Sequence, residues 1–371
     1  MSKAYSMLSV LFLCFGCAQN VPIPAEDDGA PHSEDPADSG GDDSGDDLDG
    51  DGYGSDVDCD DADAAVHPGA SETPYNGLDD DCDPDTPDDD LDGDDYGSDV
   101  DCDDADPMVT TPSQIWEGDL SWTEAEESLC DTGEALRIAG DLNLISTPLF
   151  ELTALSCLCA VDNDINIIDN ANLLSLEGLE GLQGVDRNLT ITDNPLLMSL
   201  VGLNNITTVN EDLIISSNTD LVTLDGLNSL RTVSGDLMVT DNPTLVNMVG
   251  LGRLQHINDS FAISNNASMT SMLGLGSDNL RCEDLWIRDN PALIELSGLE
   301  GLTEIGENIS ISRNSALTSL QALSGLTRVN DDFTIEANTA LLTSEAEWLI
   351  YESLGTGNVG GSIYINGNAK D

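Results

Sequence analysis

The chain has 371 residues, of which 72 are acidic and 10 basic, giving a net charge of -62. Phosphate recognition needs basic patches, and none can be assembled from so few cations, which excludes nucleic acid as a partner. Hydrophobic residues make up 39% of the chain and lie almost entirely after residue 135, so the composition predicts one folded domain preceded by an acidic arm.

Residues 1–17 hold one positive charge at Lys3, an apolar run at 7–15 and a small residue, Gly16, just before Cys17. This is the pattern of a secretory signal, and it is too short to span a membrane. Gly16-Cys17 followed by a polar, Pro-rich stretch resembles the cleavage site of bacterial lipoproteins. That resemblance implies acylation of Cys17, a lipid anchor in the membrane and a place at the outer membrane or cell surface; cleavage a few residues later, with plain secretion, is the alternative.

Residues 18–46 are rich in Pro, Gly, Ser and Asp without apolar periodicity, and are expected to form a disordered spacer. At residue 47 the pattern changes. Asp47, Asp49 and Asp51 stand at positions 1, 3 and 5 of a loop, Gly52 permits a sharp turn, Tyr53 offers a carbonyl, Ser55 follows, and Asp58 closes the loop at position 12. A near copy places Asp90, Asp92, Asp94, Tyr96, Ser98 and Asp101 in the same order, with Asp95 in place of the turn Gly, so the second site is expected to be weaker. Every donor is oxygen, which favours Ca2+ over Cu or Zn. Residues 47–106 are therefore read as a metal-binding arm that gains order only with bound cations, because no Lys or Arg occurs between Lys3 and Arg137.

Residues 47–82, with Asp58-Cys59-Asp60-Asp61, His67-Pro68-Gly69-Ala70 and Asn76-Gly77-Leu78-Asp79-Asp80-Asp81-Cys82, resemble the MopE-type metal-binding repeat of bacterial surface proteins. The family name implies copper. Only His67 could supply a nitrogen ligand in this segment, so copper capture is the alternative to calcium. Cys59 and Cys82 bracket the repeat and form the preferred disulfide, while Cys102, Cys157 and Cys159 are all candidates to pair with Cys130. Cys282 is expected to remain unpaired, because a bridge to Cys157 or Cys159 would have to span about five coils, on the order of 24 Å.

After a connector at residues 107–139, the rest of the chain is one repeat. Asn170, Asn194, Asn218, Asn242, Asn266, Asn290, Asn314 and Asn338 recur every 24 residues, the mark of a solenoid. Two alternating apolar residues precede each Asn, as in Leu213/Ile215 and Leu237/Val239, which predicts a short strand with one buried face. Beyond the Asn, apolar residues recur every three, as in Leu221, Leu224, Leu227 and Leu230, a spacing for tight turns rather than a 3.6-residue helix. The Asn column is assigned to architecture, bonding backbone groups of its own and neighbouring coils. Residues 345–354 are predicted to form a short helix and 362–366 a last strand, together capping the sheet.

The repeat Leu-x-x-Leu-x-Gly-Leu-x-x-Leu-x-x-Val followed by Asp-Leu-x-Ile-x-x-Asn, as at residues 221–242, resembles the receptor L-domain family, relatives of leucine-rich repeats, over roughly residues 140–367. The resemblance implies an all-β, right-handed solenoid of about nine coils spanning 140–371, of a kind that binds protein ligands in animal receptors.

No nucleophile elbow, phosphate loop or zinc motif is present, so the chain is read as a non-catalytic surface protein whose acidic stalk presents the solenoid to an extracellular protein or glycan. A carboxylate-based hydrolase would need stacked Asp pairs; Asp169 and Asp193 align, but Ser217, Asp241, Asn265 and Asp289 continue their column as a turn would. Between the two buried residues of each strand, one must point outward. That column runs Asn166, Thr190, Ile214, Met238, Ala262, Trp286, Ser310, Thr334, and its apolar middle, with Arg288 beside Trp286, is the candidate contact surface.

Overall fold

The computed structural model describes residues 49, 51–53, 57–60, 63–71, 80–82, 114–122, 129–130, 135–276 and 280–371. The chain divides into two units, Met1–Ser44 and Gly45–Asp371, and all described residues belong to the second. That unit is built on a parallel sheet of 11 short strands stacked in chain order from Leu120–Ser121 to Ile363–Asn366. It is a β-solenoid of about nine coils, as the 24-residue period predicts.

The strands pair in exact register. Leu213 stands beside Leu237 and Leu237 beside Phe261, while Ile215, Val239 and Ile263 form the parallel inner row. Both rows are fully buried, because a period of two sends alternate side chains to one face. At the ends the period slips: Leu120 pairs with Leu142, Leu142 with Ile165, and Phe333 with Ile363 after a loop lengthened by a helix.

The three-residue apolar spacing has a direct cause. The N–H of Leu221 donates to the carbonyl of Asn218, Leu227 to Leu224 and Leu230 to Leu227, at 3.1–3.2 Å. Each such turn returns the chain inward after three residues, and Leu221, Leu224, Leu227 and Leu230 are all fully buried. Gly226, at φ +117, lets the chain pass against the carbonyl of Leu200 one coil earlier, where any Cβ would collide with backbone. Where this column carries Ala154 or Ala322, the chain instead forms the 3-10 turns Thr153–Leu155 and Gln321–Gly325.

At the C-terminus a helix, Thr343–Trp348, begins two residues before the predicted start and continues as a π-helical turn, Leu349–Leu354. Ala346, Leu349, Ile350 and Leu354 bury against the last coils and cover their apolar end. The predicted final strand is present as Ile363–Asn366 and forms the sheet's outermost strand in chain order. No helix among the described residues is long and apolar enough to cross a membrane.

Candidate metal centre and solenoid face

The acidic loop converges as its spacing demands. Carboxylate oxygens of Asp49, Asp51 and Asp58 lie within 4.8 Å of one another. Three local hydrogen bonds set this arrangement: Asp49 Oδ1 accepts from the Asp51 N–H at 3.2 Å, Asp51 Oδ1 from Tyr53 at 2.8 Å and Asp58 Oδ1 from Asp60 at 2.9 Å. Each bond anchors one oxygen and leaves the other to turn inward. Oδ2 of Asp51 and of Asp58 are buried with no hydrogen-bond partner, and Asp58 as a residue is 7% exposed. A carboxylate oxygen buried without a donor is costly unless a cation compensates it, so the donor set fits a hard, oxygen-seeking metal ion.

Gly52 takes φ +101, the turn expected of it. Tyr53 stacks flat on His67, with ring centroids 5.0 Å apart, and the His67 N–H meets the carbonyl of Asp80 at 2.8 Å, tying the loop to the second half of the repeat. Cys59 and Cys82 form the expected disulfide. They also lie beside Asp58, but as a disulfide they offer no thiolate, and His67 is not in either carboxylate cluster. Asp47, Ser55 and the entire second loop, Asp90, Asp92, Asp94, Tyr96, Ser98 and Asp101, lie outside the described residues, as does Cys17.

Among the three candidates for Cys130, the structure selects Cys157, with a Cα separation of 5.3 Å; Cys159 is also disulfide-bonded. Cys282 is free, as predicted. It is buried because it occupies the apolar column of Val233, Ile257, Ile305 and Val329, bridging to Ile305. Burial, reinforced by Asp284 and Glu283, pushes its thiol up to about 12.

The Asn column is satisfied throughout the interior coils. Asn242 Oδ1 accepts the N–H of Asn218 at 3.0 Å, and its Nδ2 donates to the carbonyls of Ile215 at 2.9 Å and Thr240 at 3.0 Å. The residue before each Asn, including Asp169, Asp193, Asp241 and Asp289, sits at φ 55–58, so the aligned acids are corner residues of the coil. A second ladder escaped the sequence reading: Asp141, Asp164, Asn188, Asp212 and Asp236 each accept the N–H of the equivalent residue one coil on, at 2.8–3.3 Å. Its signal was present as an Asp or Asn one residue before the strands that begin at Leu142, Ile165, Leu189, Leu213 and Leu237.

The outward column stacks as predicted: Thr190, Ile214, Met238, Ala262, Trp286, Ser310 and Thr334 are adjacent in register, and Tyr364 extends the row. These side chains are half-buried rather than fully protruding, except Tyr364, which is exposed. The Arg288 guanidinium lies over the Trp286 ring, 4.7 Å from its centroid.

A family model described as "Putative metal-binding motif", of the MopE copper-binding type, matches residues 58–90 and 101–111. The match starts at Asp58, not at Asp47, so Asp49 and Asp51 lie ahead of the shared motif. The chain matches no curated protein and no solved structure.

Proposed function

We propose that the chain is a non-catalytic, exported surface protein in which a calcium-binding acidic segment carries a solenoid that recognises an extracellular partner. The observation that carries the metal reading is the pair of buried, partnerless oxygens on Asp51 and Asp58 facing a third carboxylate, Asp49. Asp49, Asp51 and Asp58 would hold the ion, which would neutralise charge that otherwise keeps this segment expanded. Calcium is preferred because the three carboxylates converge on one another and the sulfurs beside Asp58 are tied up as a disulfide; copper remains the second reading, favoured by the type of motif matched. Acylation at Cys17 would place the protein at the outer membrane or cell surface, with secretion as the alternative. The kinship with receptor L-domains rests on the repeat consensus and supports a recognition role. The hydrolase reading is weakened because its aligned acids, Asp169 and Asp193, serve as left-handed corners.

Calorimetry of the full chain against Ca2+, Cu2+ and Zn2+, with hydrodynamic radius measured before and after chelation, tests the metal assignment. Calcium should bind, contract the chain and lose its strongest site in Asp58→Asn. Tighter binding of copper, or a radius indifferent to chelator, would sink the calcium reading.

A further inference from the structure

The solenoid face holds a groove beside Trp286 that crosses the next strands over Ser310, Ser312 and Thr334 and is bordered by Arg288 and Glu336. Trp286 is flanked in its row only by the small side chains of Ala262 and Ser310, while the Arg288 guanidinium covers one face of the ring. The same row ends in Tyr364, three strands further on, on the order of 14 Å away. Between the two aromatic side chains the floor is made of hydroxyls. Arg288, stacked on the Trp286 ring, also carries a buried Nε that has no hydrogen-bond partner.

We propose that this groove binds a neutral oligosaccharide lying across the strands, with Trp286 and Tyr364 as aromatic platforms. The inference rests on the reading of the solenoid as a recognition module and supplies its ligand class. Each sugar hydroxyl both donates and accepts, which suits the Ser310 and Thr334 hydroxyls set between a guanidinium donor, Arg288, and a carboxylate acceptor, Glu336. The apolar faces of sugar rings suit aromatic side chains that bury a flat surface while keeping a polar tip in water. The groove's carboxylates, Glu336 and Asp332, are matched by Arg288 and Arg313, so it offers a polyanionic glycan no net positive charge against a chain that carries -62.

The test is retention of the full chain on an array of neutral gluco-, manno- and chito-oligosaccharides beside oligouronates. At least one neutral series should retain it, and Trp286→Ala should lower that signal tenfold or more, while Phe150→Ala, exposed outside the groove, leaves it unchanged. Thr334→Trp, which fills the floor without touching the core, should also abolish retention and guards against a misfolded Trp286 variant. Retention by no neutral series, preference for oligouronates, or retention indifferent to both groove variants overturns the proposal. A purified protein ligand lost with Trp286→Ala, in the absence of any saccharide retention, would overturn it while leaving the recognition role standing.

Discussion

Asn242 receives the backbone N–H of Asn218 on its Oδ1 at 3.0 Å and passes its own N–H to Asn266 at the same distance, so each coil's corner is closed by the side chain of the next. Removing one amide strands groups on both sides. In Asn242→Ala the Asn218 N–H and the Ile215 carbonyl lose their side-chain partner in a dry interior, each loss costing about 1–3 kcal/mol, while the Thr240 carbonyl keeps the Ser217 N–H. Urea unfolding should show a loss of about 2–4 kcal/mol. A loss below about 1 kcal/mol would mean that water satisfies these groups and that the ladder is not what closes the corner.

Gly226 should be intolerant of any side chain. Its φ of +117 is rarely open to other residues, and an added Cβ would meet the Leu200 carbonyl. Gly226→Ala is expected to destabilise by more than about 2 kcal/mol. Gly357→Ala, where nothing lies within 4 Å, should change stability little. Thermal unfolding of the two variants side by side checks the contrast; equal melting temperatures would refute the close approach of the coils.

Cys282 should be chemically silent in the folded protein. Its thiol is 4% exposed and raised to about 12, so at neutral pH almost no thiolate exists to react. A maleimide should label it only after unfolding, without reductant. Cys282→Val should be tolerated to within about 1.5 kcal/mol, because the column already holds Val233 and Val329. Rapid labelling of the native chain would contradict its placement in the core.

Arg313 donates to Asp289 twice at 2.7 Å, and this bond chiefly holds the Asp289 carboxyl below its ordinary range. A depressed folded value means the stabilisation is present above the unfolded pKa, about 3.9, and is lost as pH falls through the folded value. Both side chains are well exposed, so solvent screens the pair to about 0.2–1 kcal/mol. Asp289→Asn should therefore narrow the gap in melting temperature between pH 6 and pH 3 only slightly. A larger effect at pH 6 than at pH 3 is required; the reverse order would reject the pairing.

The architecture of the repeat was readable in the residues because a solenoid coil answers only to its neighbours. One Asn every 24 residues, two alternating apolar residues before it and Leu every three after it are local constraints that each coil must meet separately, so they recur in the text. For the same reason the loneliness of Cys282 followed from counting coils. What one dimension could not decide were relations between segments at irregular spacing. Cys130 had three plausible partners, and only the entry of the chain into the first coils brings Cys157, 27 residues on, within bonding distance. The helix starts at Thr343, where its N–H donates to the carbonyl of Ala369 at 3.0 Å, a tertiary bond that propensity does not encode. The metal loop shows both sides: the Asp spacing announced the donors, but which oxygens turn inward was decided by three backbone N–H groups, at Asp51, Tyr53 and Asp60, that claim the others. Likewise, the outward row was visible in the alternation, whereas the groove beside Trp286 exists only because stacking sets Ser310 and Thr334, from separate coils, in line with it.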